Sequence, residues 1–355
     1  MTASRAAAFD VLCLGLGPAG ARAAAQAARA GLRVLAFDRR AQAGLPVQCA
    51  EFVPASLAAE VAPVRPATRQ AIGGMRSYVE AGAADLTEPF PGHMLDRAQF
   101  DASLVQEARA AGADCRLGVS VRSVAADGTL TLADGSHWRA PVLIGADGPR
   151  SLPGRAIGSF NAELLETRQL TVELLVPMAT TDIFLSQEYP GGYAWLFPKA
   201  GVAHLGVGLD AVHRRRLKPL LEDLHARLQA QGQVGARILA RTGGAIPAGG
   251  MLRPWGRLGG TTVLLAGDAA GLANPVTGAG IASAALSGTL AGAAAQVCLQ
   301  DPQAGAQSYA EELEDLYGAA LARAVARRRE LAASVPASPQ ALRRGWIAYP
   351  EYWTA

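Results

Sequence analysis

The stretch Phe9-Asp10-Val11-Leu12-Cys13-Leu14-Gly15-Leu16-Gly17-Pro18-Ala19-Gly20 passes from a short apolar run into glycines spaced GxGxxG. The run has the length of a buried strand, and the Ala-rich segment 21–30 that follows has helix-forming composition. A second apolar run, 32–37, ends at Asp38, 23 residues beyond Gly15. Strand, glycine turn, helix, strand and acid in this order describe half of a dinucleotide-binding unit. Gly15 permits a tight turn, Gly17 lets the backbone approach a pyrophosphate, and Gly20 lets helix and strand pack closely. Asp38 stands where a carboxylate accepts ribose hydroxyls. Arg39 is carried with it as a cofactor-binding candidate, although its plainer position, like that of Arg40, is toward solvent.

The turn alone does not choose between nicotinamide and flavin dinucleotides, but two later stretches do. Leu143-Ile144-Gly145-Ala146-Asp147-Gly148 resembles the Asp-Gly fingerprint of flavoprotein hydroxylases and their relatives. Leu265-Ala266-Gly267-Asp268-Ala269-Ala270 resembles their Gly-Asp fingerprint, whose aspartate bonds the ribityl chain. The resemblance implies FAD, with Asp147, Gly148 and Asp268 at the cofactor. Asp268 also suits a helix N-cap. The loop Asn274-Pro275-Val276-Thr277-Gly278-Ala279-Gly280 enters a small-residue helix and offers backbone N–H groups, including those at Gly278 and Gly280, to the pyrimidine end of a flavin. Arg97 opens a helix over 97–111, where its guanidinium suits phosphate or flavin oxygens; the structural alternative is an i, i+4 pair with Asp101.

Outward from these motifs the chain divides. Short strands are expected over 117–124, 129–132, 137–138 and 142–144. Longer β-like runs, 169–176, 183–186 and 202–209, accompany a polar helix over 214–229. The fold class is therefore α/β: a Rossmann-type FAD-binding domain with an inserted antiparallel β-sheet substrate domain, p-hydroxybenzoate hydroxylase-like, plus a C-terminal helix. The expected boundaries are 1–73, 91–155 and 255–300 for the FAD-binding domain, 74–90 and 156–254 for the substrate domain, and 301–355 for the helix and tail.

Two further motifs narrow the resemblance. Tyr193-Ala194-Trp195-Leu196-Phe197-Pro198, then Gly206-Val207-Gly208, and Pro46-Val47-Gln48-Cys49-Ala50-Glu51 are similar to paired signatures of the geranylgeranyl reductase family, over about residues 9 to 300. Members of that family reduce double bonds of prenyl chains. The resemblance implies FAD contacts at Ala19, Asp38, Cys49, Ala50, Arg97, Asp268, Gly280 and Ile281, with Val121 approaching the adenine through its backbone. It makes Cys49 the catalytic candidate beside the flavin. Tyr193, Trp195, Phe197, Pro198, Gly206 and Gly208 become the substrate wall, because alternating aromatics offer one face to an apolar chain. Phe52 departs from the family's usual glycine, and the C-terminus is shorter than is general.

The remaining composition limits partners. Half of the 355 residues are apolar and the net charge is +3, so no nucleic-acid footprint stands out. Cys13, Cys49, Cys115 and Cys298 lie far apart and, with the five histidines (His93, His137, His204, His213 and His225), show no metal-ligand spacing. No metal is expected, and a cytoplasmic setting is. No uninterrupted apolar run is long enough to cross a bilayer. A C-terminal helix with an apolar face from Tyr309 to Val325, and a tail with Arg343, Arg344, Trp346, Tyr349, Tyr352 and Trp353, leave peripheral membrane contact open beside docking on the protein body. The substrate expected is an apolar small molecule or lipid. NADPH or another reductant, including an electron-donor protein, is admitted. A flavin monooxygenase and a flavin electron-transfer module are the alternative functions.

Overall fold

The computed structural model describes residues 9–334 and 336–354. A six-stranded sheet forms the base, in the order Trp255–Leu258, Thr261–Leu265, Val142–Gly145, Val11–Leu14, Val34–Asp38 and Asp114–Leu117. Its strands are parallel except for the first, which pairs antiparallel with Thr261–Leu265. Val11–Leu14, Val142–Gly145 and Thr261–Leu265 are buried at every position, as covering both faces of a parallel sheet requires.

Helix Pro18–Arg29 begins three residues before the sequence reading placed it, because Pro18 fits the first turn. Against it lies the long helix Ile281–Gln300. A Cβ at Gly288 would stand 2.1 Å from the Ala19 carbonyl oxygen, and one at Gly292 2.5 Å from that of Ala23. Small residues thus set the separation of the two helices. Ile281–Gln300 has the length and apolarity of a membrane span, but here it packs within the dinucleotide-binding core. The strand expected over 117–124 is two strands: Gly118, with φ +75°, turns the chain from Asp114–Leu117 into Val121–Val124. The latter heads a three-stranded sheet whose Trp138 packs against Phe9 and Phe37.

An eight-stranded second sheet contains Gly74–Val79 and Ala84–Thr87 together with strands between 164 and 247. It is antiparallel apart from one pair, Gly74–Val79 with Thr180–Leu185. The pleat sorts its side chains. Leu170, Val172, Ala194, Leu196, Ala203, Leu205, Val207 and Leu209 point to one face, which Leu217, Leu221, Leu224 and Leu228 of helix Leu217–Ala230 cover. The opposite face turns toward the dinucleotide-binding layer.

The C-terminal segment is helical over Pro302–Leu313 and Ala319–Ala333, joined by a π turn at Glu314–Gly318. Tyr309, Leu313, Leu321 and Ala324 are buried, and the Tyr309 hydroxyl donates to the Leu265 carbonyl at 2.7 Å. Those four residues of the apolar face expected there therefore dock on the protein, while Leu316 and Ala320 of the same face are exposed. The tail corrects the membrane-facing alternative for most of its aromatics. Trp346, Tyr349 and Tyr352 are buried, Tyr349 donates to Asp85 at 2.8 Å, and Arg343 pairs with the same carboxylate at 3.1 Å. Only Trp353 of the tail aromatics is exposed.

Candidate functional site

Each glycine of the first turn has a separate physical reason. At Gly15, with φ +98°, a Cβ would stand 2.2 Å from the Ala146 carbonyl oxygen, and at Gly20 it would stand 1.8 Å from that of Gly15. Nothing lies within 4 Å of a Cβ at Gly17, so the middle glycine faces open space, where a pyrophosphate would approach. Asp38 accepts the Leu16 N–H on Oδ2 and the Arg40 N–H on Oδ1, both at 2.8 Å, which fixes the carboxylate beside the turn. Arg39 is exposed, near enough to Asp147 to act on its carboxyl. The chain returns past this point: Gly118 and Val119 donate to the Arg40 and Asp38 carbonyls, which brings Val121 alongside.

Asp147 and Gly148 follow the neighbouring strand. Asp147 accepts the Leu152 N–H at 2.7 Å on Oδ2, while Oδ1 is buried without a partner, and burial pushes its carboxyl upward. Asp268 is not an N-cap, because it lies inside the short 3-10 turn Gly267–Ala270, whose cap is Ala266. Its carboxylate accepts no hydrogen bond from the described residues. Burial pushes its carboxyl up to about 6, with Arg97 pulling the other way. A ligand hydroxyl could donate to this half-buried acid.

The loop before helix Ile281–Gln300 corrects one expectation. Val276 and Thr277 donate their N–H groups to the Asn274 side chain, Gly278 donates to the Asn274 carbonyl, and Ala279 donates to Thr277 Oγ1. Those donors are used within the loop, so Gly278 contributes its turn, with φ +70°, rather than its N–H. The N–H groups of Gly280 and Ile281 at the helix start have no acceptor within the helix and remain for a ligand. Together with the Gly17 opening, Asp38, the open Oδ1 of Asp147 and the Asp268 carboxylate, this set fits FAD.

Arg97 makes the i, i+4 pair with Asp101. Its guanidinium makes two bonds of 2.9 Å to the buried Asp101, and Cys49 lies near enough to act on its charge. Burial opposes its charge, but Asp101 and Cys49 outweigh burial and hold its pKa above the ordinary arginine value. Cys49 is half-buried; its sulfur accepts the Glu51 N–H at 3.2 Å, and its carbonyl accepts Gln169 Nε2 at 3.0 Å. Ala50 joins the apolar cluster around Trp195.

The aromatic strand Ala194–Lys199 sends Tyr193, Trp195 and Phe197 to the face turned toward these groups. The rings follow one another at 5.7 and 6.5 Å, and Phe52, stacked on Phe90, adds an edge to Phe197 at 6.1 Å. Tyr193 donates to the Thr277 carbonyl at 2.6 Å, joining this wall to the loop before the helix. Three residues expected on the wall have other positions. The pleat turns Pro198 to the helix-covered face, in register with Ala203. Gly206 and Gly208 lie beneath the Trp195 indole, where a Cβ at Gly206 would stand 2.0 Å from the ring. They seat the aromatic.

Glu51, His204 and Lys199 complete the site; of these only Glu51 is marked by the sequence, as the last residue of the Pro46–Glu51 motif and a possible proton donor. Glu51 is 1% exposed, with φ +68°. Its Oε1 accepts the Arg97 N–H at 2.8 Å, and its Oε2 bonds Lys199 Nζ at 2.6 Å and His204 Nε2 at 2.5 Å. Burial raises its carboxyl, but these partners outweigh burial and hold it below the ordinary glutamate range. No group of three or more metal-ligating side chains occurs among the described residues.

No family model matches the chain. It is 31% identical over 329 residues to a digeranylgeranylglycerophospholipid reductase of Methanosarcina acetivorans, an alignment covering 87% of this chain and 79% of the relative. The solved structure of a geranylgeranyl bacteriochlorophyll reductase-like protein from Thermoplasma acidophilum superposes with a TM-score of 0.83 at 26% identity, covering 94% of this chain and 89% of that one. A probable FAD-dependent monooxygenase from Pseudomonas aeruginosa, PqsL, shares the fold with a TM-score of 0.70 at 20% identity over 94% of this chain and 98% of its own.

Proposed function

The chain belongs to the geranylgeranyl reductase family of FAD-dependent oxidoreductases, and from that premise we propose that it reduces carbon–carbon double bonds of a prenyl glycerophospholipid, with Cys49 as the catalytic proton donor. One observation carries the residue assignment. Cys49 and Arg97 come from distant stretches, yet they meet at Glu51, whose N–H donates to the Cys49 sulfur and whose carboxylate accepts the Arg97 N–H, while Gln169 joins the Cys49 carbonyl to the Trp195 indole. Bound FAD, once reduced, supplies hydride to one alkene carbon. The protein's share is to bind, orient and protonate. Gly15, Gly17, Ala19, Gly20, Asp38, Arg39, Val121, Asp147 and Gly148 hold the dinucleotide, with Ala50, Arg97, Asp268, Gly280 and Ile281 toward the flavin. Tyr193, Trp195 and Phe197 line the apolar chain's path, and because an isolated alkene is a poor hydride acceptor a proton donor must stand close to it. The Cys49 thiol gives its proton to the second alkene carbon, and the Arg97 guanidinium and Glu51 N–H stabilise the thiolate left behind.

Among the described residues, strand membership supports the expected division into 1–73, 91–155 and 255–300 for FAD and 74–90 and 156–254 for the substrate, with 301–334 and 336–354 packed against both. NADPH or an electron-donor protein serves as visiting reductant. The monooxygenase alternative rests on fold likeness alone, which is weak ground for chemistry. Anaerobic reduction of purified protein with added prenyl glycerophospholipid, followed by mass spectrometry, tests the reading. A gain of about two mass units per bond supports it, and a hydroxylated or unchanged lipid overturns it.

A further inference from the structure

Glu51 holds three donors from three separate elements: the Arg97 N–H at a helix start, Lys199 at the end of the aromatic strand, and His204 on its neighbour. His204 Nδ1 in turn meets Thr171 Oγ1 at 3.2 Å. A glutamate with φ in the left-handed region is costly unless its surroundings over-determine it, and residues held this way concentrate at functional sites. The consequence of this backbone is specific: it aims the Glu51 N–H at the Cys49 sulfur. On the other side of Cys49, Gln169 holds its carbonyl while accepting Trp195 Nε1 at 3.2 Å, and Thr242 donates to the Val47 carbonyl at 2.7 Å. The segment 47–51 is therefore pinned from the substrate sheet at several points, and Glu51 is the one whose loss would release the thiol's donor.

We infer that Glu51 is a positioning residue for Cys49, and that the Lys199–Glu51–His204 cluster keeps the Glu51 N–H directed at the cysteine sulfur and the start of the Arg97 helix beside it. This rests on the reading that Cys49 serves the reduction. The charged and titratable groups around Cys49 are Arg97, paired with Asp101, from the helix; Tyr193 from the aromatic strand; Glu51 itself, with Lys199 and His204 behind it; and Asp268 beyond Arg97. Glu51 exerts two opposed influences on the thiol. As a bare negative charge it would disfavour the thiolate, so its removal would make Cys49 more reactive. As the anchor of the N–H donor and of Arg97 it favours the thiolate, so its removal would make Cys49 less reactive. The cluster offsets the charge with Lys199, which leaves the anchoring effect dominant.

The other three cysteines are buried, and burial pushes their thiols upward, to about 11 for Cys115 and Cys298. Iodoacetamide labelling of the FAD-loaded protein therefore reads Cys49, with Cys49→Ser as the blank. Glu51→Gln is expected to move the pH profile of alkylation to higher pH and slow labelling at neutral pH on the order of tenfold, with the flavin absorbance retained. Lys199→Met, which removes one donor and leaves the acid, should move it less in the same direction and guards against a Glu51 variant that fails to fold. A profile that stays in place or moves to lower pH in both variants overturns the inference. Prenyl-lipid turnover is measured in parallel. A shifted profile in a protein that reduces no alkene leaves the positioning role intact and removes the proposed function instead.

Discussion

A Cβ at Gly206 would stand 2.0 Å from the indole of Trp195, which lies opposite it across the strand pair, so the glycine is the floor on which the ring rests. The aromatic wall is thus built from two strands: one supplies rings and the other supplies the absence of side chains. Gly206→Ala is expected to tilt Trp195 into the space proposed for the apolar chain. Overpacking of this kind costs about 1–3 kcal/mol. Denaturant unfolding should show that loss, and the apparent substrate KM should rise while the flavin spectrum stays. An unchanged KM would separate the glycine from the substrate wall.

Cys49→Ser is expected to keep FAD bound and lower turnover by two orders of magnitude or so, the scale of a lost general acid. Its sulfur lies by Arg97 and the Glu51 N–H, away from the Gly17 opening proposed for the phosphates. Steady-state kinetics beside a flavin titration checks both halves. Full activity in the serine variant would return Cys49 to a packing role.

Much of the dinucleotide-binding layer could be read from the sequence, because its motif has a local reason: Gly15 takes a positive φ in the turn and Gly20 abuts Gly15, although Gly15 is also closed in by Ala146 of a distant strand. The Glu51–His204 pair, 153 residues apart, has no local signature. Strand alternation held the available signal. In the run from Tyr193 to Lys199, the lysine falls on the aromatic face, and His204 falls opposite in phase to Ala203 and Leu205. The same alternation, carried through, would have turned Pro198 away from the substrate. The tail was ambiguous for a different reason, since Trp, Tyr and Arg suit a membrane surface and a protein surface equally well. What decides is Asp85, on a strand some 260 residues away, which receives both Arg343 and Tyr349.

Asp268 gives a pH dependence with a definite sign. In the ligand-free protein burial pushes its carboxyl up to about 6. A ribityl hydroxyl donating to the carboxylate lowers that value in the complex, so binding releases a proton between the bound-state pKa and about 6. FAD affinity should therefore be flat above pH 6 and weaken as pH falls below it, by at most about tenfold per pH unit. Fluorescence titration of apoprotein with FAD from pH 5 to 8 measures this. Asp268→Asn should bind more weakly at pH 7 and lose the pH dependence. Affinity that rises toward pH 5 would contradict the assignment.

Trp346 packs on Tyr193 with ring centroids 4.9 Å apart, which places the C-terminal tail directly against the aromatic wall. Between them, Leu185, Val276, Leu331 and Leu342 help enclose a cavity of about 30 Å³, room for no more than a water molecule. A prenyl chain extending along Tyr193 and Trp195 would meet Trp346, so the indole would act as an end stop. Trp346→Ala removes that stop at a cost of about 3–5 kcal/mol in stability, the usual range for truncating a buried tryptophan. Trp346→Leu keeps an apolar contact and should cost less. Both variants are expected to retain FAD, since Trp346 touches none of the residues proposed for the cofactor's phosphates or riboses. Competition between prenyl lipids of two chain lengths, read by mass spectrometry of the reduced products, should shift toward the longer chain in both, and further in the alanine variant. An unchanged product ratio in the leucine variant, with its fold and flavin intact, would place the chain's far end elsewhere and leave the tail a purely packing element.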